Sequence, residues 1–267
     1  MATGQNTLWE RFLQPLFGLM IDRESLKELS DNIDWERESD RLKSPKLSYP
    51  DYYTSQNFHG IEGGYLTSGA AVTYDPITQY VLFPNETWNR EAVVKAIKGS
   101  PRKILDLGCG TGSTTLMLKQ AFPNAEVIGL DLSPQMLVIA EYKAKQAGLN
   151  IQWLHSMAEA TNLPDGNFDV VTASLLFHET PTHIAQAILK EALRLLQPGG
   201  QVIILDGHQR TLRHTTWLTE VFEEPYIKDY AAGSVDAWLG AAGFSQVLTE
   251  DVWWTNQLST GVKLIGS

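Results

Sequence analysis

Residues 103–113 read KILDLGCGTGS, and this stretch decides the fold of the chain. Its apolar first half is typical of a buried strand, and its glycines permit the tight turn that leads from a strand into a helix. Glycine also lets the backbone approach a ligand closely, while the amides that open the next helix face that ligand. The stretch therefore predicts a strand–loop–helix unit of an α/β domain with a nucleotide-like ligand at its loop.

Outward from this stretch, apolar segments alternate with amphipathic ones from Arg102 onward, as they do around a parallel sheet. Strands are predicted at residues 103–107, 126–130, 151–154, 168–173 and 201–206, and a closing hairpin at 247–254 and 261–265. Helices are predicted at 134–147, at 183–196, and from Ser234 to about Gly243. The pattern predicts a Rossmann-like α/β fold, in which a seven-stranded, mostly parallel sheet ends in an antiparallel hairpin.

Residues 1–101 lack this alternation, and we expect them to form a mainly helical N-terminal cap and lid before a cofactor-binding domain at 102–267. Helical spacing of apolar residues is found at 8–21 and at 88–97. The segment 44–89 is rich in Tyr and Gly, a composition typical of a mobile lid whose rings wall an apolar substrate. Surface turns packed by their own rings would have the same composition.

Composition excludes several classes of protein. The formal net charge of −10, with no run of Lys or Arg, disfavours a nucleic-acid partner. Cys109 is the only cysteine, so neither an intrachain disulfide nor a thiolate-rich metal site is predicted, and the histidines show no metal-binding pattern. No apolar run reaches the ~20 residues of a membrane span. No secretory signal is found either, so we expect a cytoplasmic protein.

The loop after the first strand favours a cationic nucleoside ligand. A triphosphate site would need a lysine after the glycines, and a dinucleotide site would need a third glycine or alanine where Ser113 stands. Asp106 would repel a diphosphate but suits an ammonium group. Asp131 follows about 20 residues later, where a carboxylate accepts both hydroxyls of a ribose, although such an Asp can also be a helix cap. Leu132 is then expected to lie against the base.

Four blocks carry a family resemblance: ILDLGCGTG, GLDLSPQML, AEATNLPDGNFDVVTAS and LRLLQPGGQVIILD, which together span residues 103–206. In this order they resemble the class I S-adenosylmethionine-dependent methyltransferases, and in particular the small-molecule enzymes similar to the ubiquinone/menaquinone C-methyltransferases. The resemblance implies S-adenosylmethionine as cofactor and a small, partly apolar acceptor with an O, N or C nucleophile.

The resemblance also implies which residues contact the cofactor. They are Tyr74, Asp106, Gly108, Cys109, Gly110, Asp131, Leu132, Met157, Ala158 and Ser174. Tyr74 is expected at the sulfonium, where an aromatic face attracts a cation, or else as a core aromatic of the cap. Met157 departs from the family pattern, which has Asp or Asn there, so Glu159 or a backbone group is expected to recognise the adenine amino group.

Candidate catalytic residues follow the fourth and fifth predicted strands, whose carboxyl ends should open on the cofactor crevice. His178 is the candidate base, with Glu179 orienting it or acting alone. A merely structural histidine at a helix entrance is the alternative. His208 is a second candidate base, and Tyr52, His59, Tyr65 and His208 are the expected substrate contacts. Two other functions stay open, a protein or RNA methyltransferase and a catalytically silent protein of the same fold.

Overall fold

The computed structural model describes residues 22–58, 63–82, 84–215 and 225–264. Two predictions lie outside these ranges, namely the helix at 8–21 and the substrate contact His59. None of the helices within them is long and apolar enough to cross a membrane.

One sheet organises the molecule. Its strands are β1 (Lys103–Leu107), β2 (Glu126–Asp131), β3 (Gln152–His155), β4 (Phe168–Ser174), β5 (Leu196–Gly207), β6 (Ser245–Val252) and β7 (Asn256–Val262). The seven strands lie in the order β3-β2-β1-β4-β5-β7-β6, with β1 to β5 parallel and β7 antiparallel to both β5 and β6. The predicted fold class is thereby confirmed. Because the chain moves to opposite sides from β1, a crevice opens at the carboxyl ends of β1 and β4.

Helices lie before the first strand and between later strands, and they cover both faces of the sheet. They are α1 (Arg23–Asp31), α2 (Trp35–Leu42), α3 (Asp51–Thr54), α4 (Ser68–Val81), α5 (Glu86–Ala96), α6 (Ser113–Ala121), α7 (Pro134–Gln146), α8 (Thr182–Leu195), α9 (Gln209–His214), α10 (Ile227–Ala232) and α11 (Val235–Ala242). The apolar stripe of α8 packs with Tyr230 of α10 and Trp238 of α11 on one face. On the other face, Val93 of α5 packs with Leu118 of α6.

Local sequence explains the best-predicted helix. Ser133 accepts a hydrogen bond from the Met136 amide, and Pro134 occupies the first turn, where its missing N–H costs nothing. Gly148, which follows the helix, has the positive φ of +64° that ends helices without strain.

The front of the chain is mainly helical, but its parts pack differently. Helices α1 to α4, which we call the cap helices, share an apolar cluster with α7 that includes Phe58, Tyr65 and Met136. Helix α5 instead packs on the sheet through Val93 and Ile97. The division of the chain at residue 101 therefore stays a prediction, since the last front helix belongs to the sheet's own core.

The closing hairpin is found, but the predicted bounds of its strands were wrong. The strands end at Val252 and begin again at Asn256, so Trp253 and Trp254 lie in the turn and not in a strand. Trp253 has a φ of +55°, and the two side chains are 49% and 55% exposed. Trp253 stacks on Trp88 at the surface instead, with ring centroids 5.8 Å apart.

Candidate active site

A cavity lies between the carboxyl ends of the parallel strands and the cap helices, with about 660 Å³ of empty space when the open solvent at its mouth is included. Its floor includes the glycine loop and the end of β2, and its roof is made of aromatic rings from the front of the chain. The crevice predicted from the sheet topology and the aromatic front segment therefore border one open cavity.

The glycine loop forms one wall of this cavity through Gly108 and Gly110. Both residues have positive φ, at +62° and +53°, a backbone that other residues adopt with strain. A Cβ atom on Gly108 would lie 2.7 Å from the Leu176 side chain, which also lines the cavity. The loop is held to β2 because the Cys109 amide donates to the Leu130 carbonyl at 2.9 Å.

Asp131 ends β2 and lies on the cavity floor with Leu132. One carboxylate oxygen accepts the Gly110 amide at 2.7 Å, and the other accepts the Ser133 amide at 2.8 Å. Burial raises the pKa of Asp131 to about 6, against the partial opposition of these two hydrogen bonds. The carboxylate is thus fixed in orientation, with lone pairs left for hydroxyl donors of a ligand.

The chain after β3 continues the floor with Ser156, Ala158 and Glu159. Met157 is not among the residues that line the cavity, and its backbone forms an isolated bridge with Ala160. Glu159 accepts a hydrogen bond from the Tyr52 hydroxyl of α3 at 2.8 Å on one oxygen, Oε1. Its other oxygen, Oε2, is buried without a hydrogen-bond partner among the described residues.

Aromatic side chains of the front segment form the roof of the cavity. They are Tyr52, Tyr53, Phe58, Tyr65 and Tyr74. The rings contact one another, with centroids of Phe58 and Tyr65 5.3 Å apart and those of Tyr65 and Tyr74 6.0 Å apart. Burial raises the pKa of Tyr74, so its phenol is neutral at physiological pH.

Glu179 faces the cavity from the short 3-10 helix Phe177–Glu179 that follows β4. Its Oε1 accepts the Tyr65 hydroxyl at 2.6 Å and lies 3.9 Å from Nε2 of His178. His178 lies behind it, outside the cavity lining, and its Nδ1 donates to Asp206 at 2.5 Å. Asp206, at the end of β5, is fully buried and also accepts the Phe177 amide at 2.8 Å. Asp206 therefore orients the His178 ring through Nδ1.

Two predicted cofactor contacts lie inside the sheet and do not line the cavity. Asp106 is 1% exposed. Its two carboxylate oxygens accept hydrogen bonds from the hydroxyls of Thr115 at 2.6 Å and Thr172 at 2.7 Å. Burial raises its pKa, which these hydroxyls partly offset. Ser174 is also buried, and it accepts a hydrogen bond from Thr114 at 3.1 Å. Their contact with the cofactor therefore stays a prediction.

Cys109 and His208 are also absent from the cavity lining. The Cys109 thiol lies on the sheet side of the loop, 3.0 Å from where a Cβ on Gly129 would stand. His208 caps α9 by accepting the Thr211 amide at 3.1 Å, and its Nε2 bonds Asp251 at 2.9 Å. These bonds hold His208 at the hairpin side of β5, so its placement does not support the expected roles as base and substrate contact.

Several lining residues were missed by the sequence reasoning. They are Tyr53, Phe58, Leu130, Met136, Leu175, Leu176, Thr180 and Ile188. Leu175 and Leu176 directly follow β4, so the rule that ligands meet the carboxyl ends of strands would have found them. Met136 and Ile188 lie on helices whose apolar spacing predicts only core positions.

Asp75 attaches the cap helices to the glycine loop. Its carboxylate accepts hydrogen bonds from Thr111 at 2.5 Å and Ser113 at 3.2 Å, and forms an ion pair with Lys143 of α7 at 2.6 Å. Helix α4, which carries Asp75, also carries Tyr74. The position of the Tyr74 ring over the cavity therefore depends on the contacts that Asp75 makes with the glycine loop.

Comparison with known proteins agrees with this geometry. Residues 104–200 match the model of a family described as a methyltransferase domain. These residues therefore match a methyltransferase domain. Two curated relatives, both named demethylmenaquinone methyltransferase, are 40% identical over 140 residues (Thermus thermophilus) and 37% identical over 142 residues (Lactococcus lactis). Each match covers 52% of this chain. The matches cover 63% of the Thermus relative and 56% of the Lactococcus relative. The chain thus spans less than two thirds of these relatives.

A solved structure shows that the methyltransferase fold extends beyond the sequence match. A structure described as an S-adenosylmethionine-dependent methyltransferase from Aquifex aeolicus superposes with a TM-score of 0.57 at 21% identity. The superposition covers 74% of this chain and 99% of the Aquifex protein. The family resemblance found in the four sequence blocks is confirmed for the methyltransferase domain, while the cap helices lie outside the matched residues 104–200.

Proposed function

We propose that this chain transfers the sulfonium methyl group of S-adenosylmethionine to a small, partly apolar acceptor. The observation that carries the proposal is a single cavity that joins the glycine loop and Asp131 to Glu179 under a roof of aromatic rings. A donor held at the loop and an acceptor held near Glu179 would meet in this one cavity. Methyl transfer needs this arrangement, because the reaction depends mainly on alignment.

The residues present fit the cofactor. Gly108 and Gly110 leave room where side chains would fill the cavity, so the methionine portion is held along the loop. Asp131 accepts the ribose hydroxyls with the lone pairs that its backbone hydrogen bonds leave open. Leu132 and Ala158 border the adenine. When bound, the cofactor supplies a methyl carbon already activated by positive sulfur.

Aromatic walls define the class of acceptor. Five rings and the side chains of Leu175 and Leu176 face the cavity, so the acceptor buries apolar surface there. The curated relatives are named for demethylmenaquinone, a ring compound, and we extend a ring-containing acceptor to this chain. Its nucleophile is an O, N or C atom, and the bond forms at the methyl carbon as the carbon–sulfur bond breaks, leaving the electron pair on sulfur.

Glu179 is the residue that takes the acceptor's proton in this proposal. Of the two candidates, Glu179 lines the cavity. His178 lies behind it, with its Nε2 atom 3.9 Å from Oε1 of Glu179. The His178 imidazole, whose Nδ1 is fixed by Asp206, lies next to this carboxylate and is the nearby group to which Glu179 would pass the proton. Tyr65 holds the Glu179 carboxylate in place from the cap side.

Calorimetry with S-adenosylmethionine tests the donor. We expect binding in the micromolar range and a loss of about 10- to 100-fold in Asp131→Ala, since hydrogen bonds to a charged group are removed. The matched control is Asp229→Ala, which removes an exposed carboxylate on α10 and should leave affinity unchanged. Absence of binding at high micromolar concentration would contradict the proposal.

Isotope labelling tests the acceptor. The protein is incubated with a metabolite extract and methyl-labelled S-adenosylmethionine, and labelled products are identified by mass spectrometry. We expect a labelled apolar ring compound whose formation falls strongly in Glu179→Gln, while the affinity for the cofactor changes little. Label found only on protein or RNA would favour the alternative classes of acceptor.

A further inference from the structure

We propose that Glu159 recognises the 6-amino group of adenine and that Tyr52 of the cap holds it in the orientation to do so. This inference rests on the proposed function, because it assigns the adenine end of the same cavity. Its starting point is the unpartnered oxygen of Glu159, an atom that the other contacts of the cavity leave unexplained.

The position of Glu159 favours contact with the base. Asp131 ends β2, and Glu159 follows β3, the neighbouring strand at the edge of the parallel sheet. Both residues line the cavity, as does Ala158 between them. A nucleoside whose ribose is bound at Asp131 therefore extends its base across the end of β3, toward Glu159.

The hydrogen bonding of Glu159 calls for a donor. Oε1 already accepts the Tyr52 hydroxyl at 2.8 Å, whereas Oε2 is buried without a partner. A buried carboxylate oxygen left unpaired is costly, and native structures leave few such atoms. The 6-amino group of adenine is an N–H donor at the far end of the nucleoside, so it satisfies this oxygen when bound.

The departure at Met157 supports the same assignment. Met157 offers no strong acceptor and is not among the residues that line the cavity. Glu159 is two residues further along and carries the carboxylate that position 157 lacks. Adenine recognition has in this way moved onto a residue that depends on the cap for its orientation.

Tyr52 makes that dependence specific. Its hydroxyl is the donor to Oε1, and its backbone carbonyl accepts the Tyr226 hydroxyl at 3.0 Å. Helix α3 is thereby fixed at both the side chain and the main chain of Tyr52. The carboxylate of Glu159 is held from above, which directs Oε2 and limits the rotamers it can adopt.

The test measures affinity for S-adenosylhomocysteine and for its 6-desamino analogue, in which hydrogen replaces the amino group, by calorimetry on the full chain. We expect the wild type to bind the analogue about 10- to 100-fold more weakly, the range for a hydrogen bond to a charged group. In Glu159→Gln a neutral acceptor remains, so the ratio should fall to about 3- to 10-fold. Tyr52→Phe keeps the ring and should give an intermediate ratio.

The control is Glu250→Gln, which makes the same change of charge at an exposed residue of β6 and should keep the wild-type ratio. Equal affinity of the wild type for the two ligands, or a wild-type ratio in Glu159→Gln, overturns the inference while the proposed function stands. A wild-type ratio in Tyr52→Phe overturns the part assigned to Tyr52. Failure of the wild type to bind either ligand overturns the proposed function together with this inference.

Discussion

Cofactor affinity should fall as pH drops below about 6, because Asp131 must be ionised to accept two ribose hydroxyls. Burial raises the pKa of this carboxyl to about 6 in the folded protein. Hydroxyl donors from a ligand favour the ionised form, so binding and proton release are linked. Each pH unit below this pKa should weaken binding about tenfold, and affinity should level off above pH 7.

The effect of Asp131 on stability has the opposite sign. Its pKa rises from 3.8 in the unfolded chain to about 6 in the folded one, so the folded state holds more protons between these values. The stabilising contribution of the protonated carboxyl is therefore complete below pH 4 and is lost as pH rises through 6, a change of about 3 kcal/mol. Asp131→Asn should abolish this pH dependence.

Asp131→Asn carries a structural cost of its own. The two carboxylate oxygens both accept backbone amides, from Gly110 and Ser133, so an Asn side chain places its NH₂ against one of them in either orientation. We expect about 1 to 3 kcal/mol of lost stability from this unpaired donor. Thermal unfolding therefore accompanies every affinity measurement on the variant.

Calorimetric titration with S-adenosylhomocysteine from pH 5 to 8 at constant ionic strength measures the effect on affinity. Repeating the titration at pH 6 in buffers of different ionisation enthalpy measures the released protons, of which about half of one is expected per ligand. Thermal scans at pH 5 establish that the protein is folded where binding is weak. An affinity that is equal at pH 5 and pH 7 in folded protein would refute the assignment of Asp131 to the ribose.

Three further substitutions test other parts of the site. Asp206→Asn should lower turnover at least tenfold with little change in cofactor affinity, because Asp206 fixes the His178 ring. Equal losses of turnover and of cofactor affinity would contradict this. Asp75→Ala should weaken cofactor binding several-fold and speed hydrogen exchange in α4, because the contacts with Thr111 and Lys143 are lost; unchanged exchange would argue against this coupling. Gly108→Ala should lower the free energy of unfolding by about 1 to 3 kcal/mol through strain at positive φ. An unchanged melting temperature would contradict the expected strain.

Local pattern was sufficient to predict the parallel core of the fold. Strands β1 and β4 were predicted to within one residue, because continuous apolar runs bounded by glycine or proline turns have few other interpretations. The glycine loop was equally clear, since Gly108 and Gly110 have the positive φ that their residue type permits. Both features depend only on residues adjacent in sequence.

Features that depend on distant residues were not predictable in the same way. The burial of Asp106 depends on Thr115 and Thr172, which turn their hydroxyls toward it from a neighbouring helix and strand. Nothing in residues 103–113 indicates those partners. The placement of Trp253 in a turn likewise depends on the pairing of β6 with β7, which a short apolar run does not specify.

Three contacts between the front segment of the chain and the methyltransferase domain lie at different parts of the one cavity. Tyr52 reaches Glu159 at the proposed adenine end, Asp75 reaches the glycine loop, and Tyr65 reaches Glu179 at the proposed acceptor end. A cofactor that engages Glu159 and the loop therefore stabilises the same cap arrangement that positions Glu179. Because linkage is reciprocal, the acceptor should bind more tightly once the cofactor is in place, and the cofactor more tightly once the acceptor is in place.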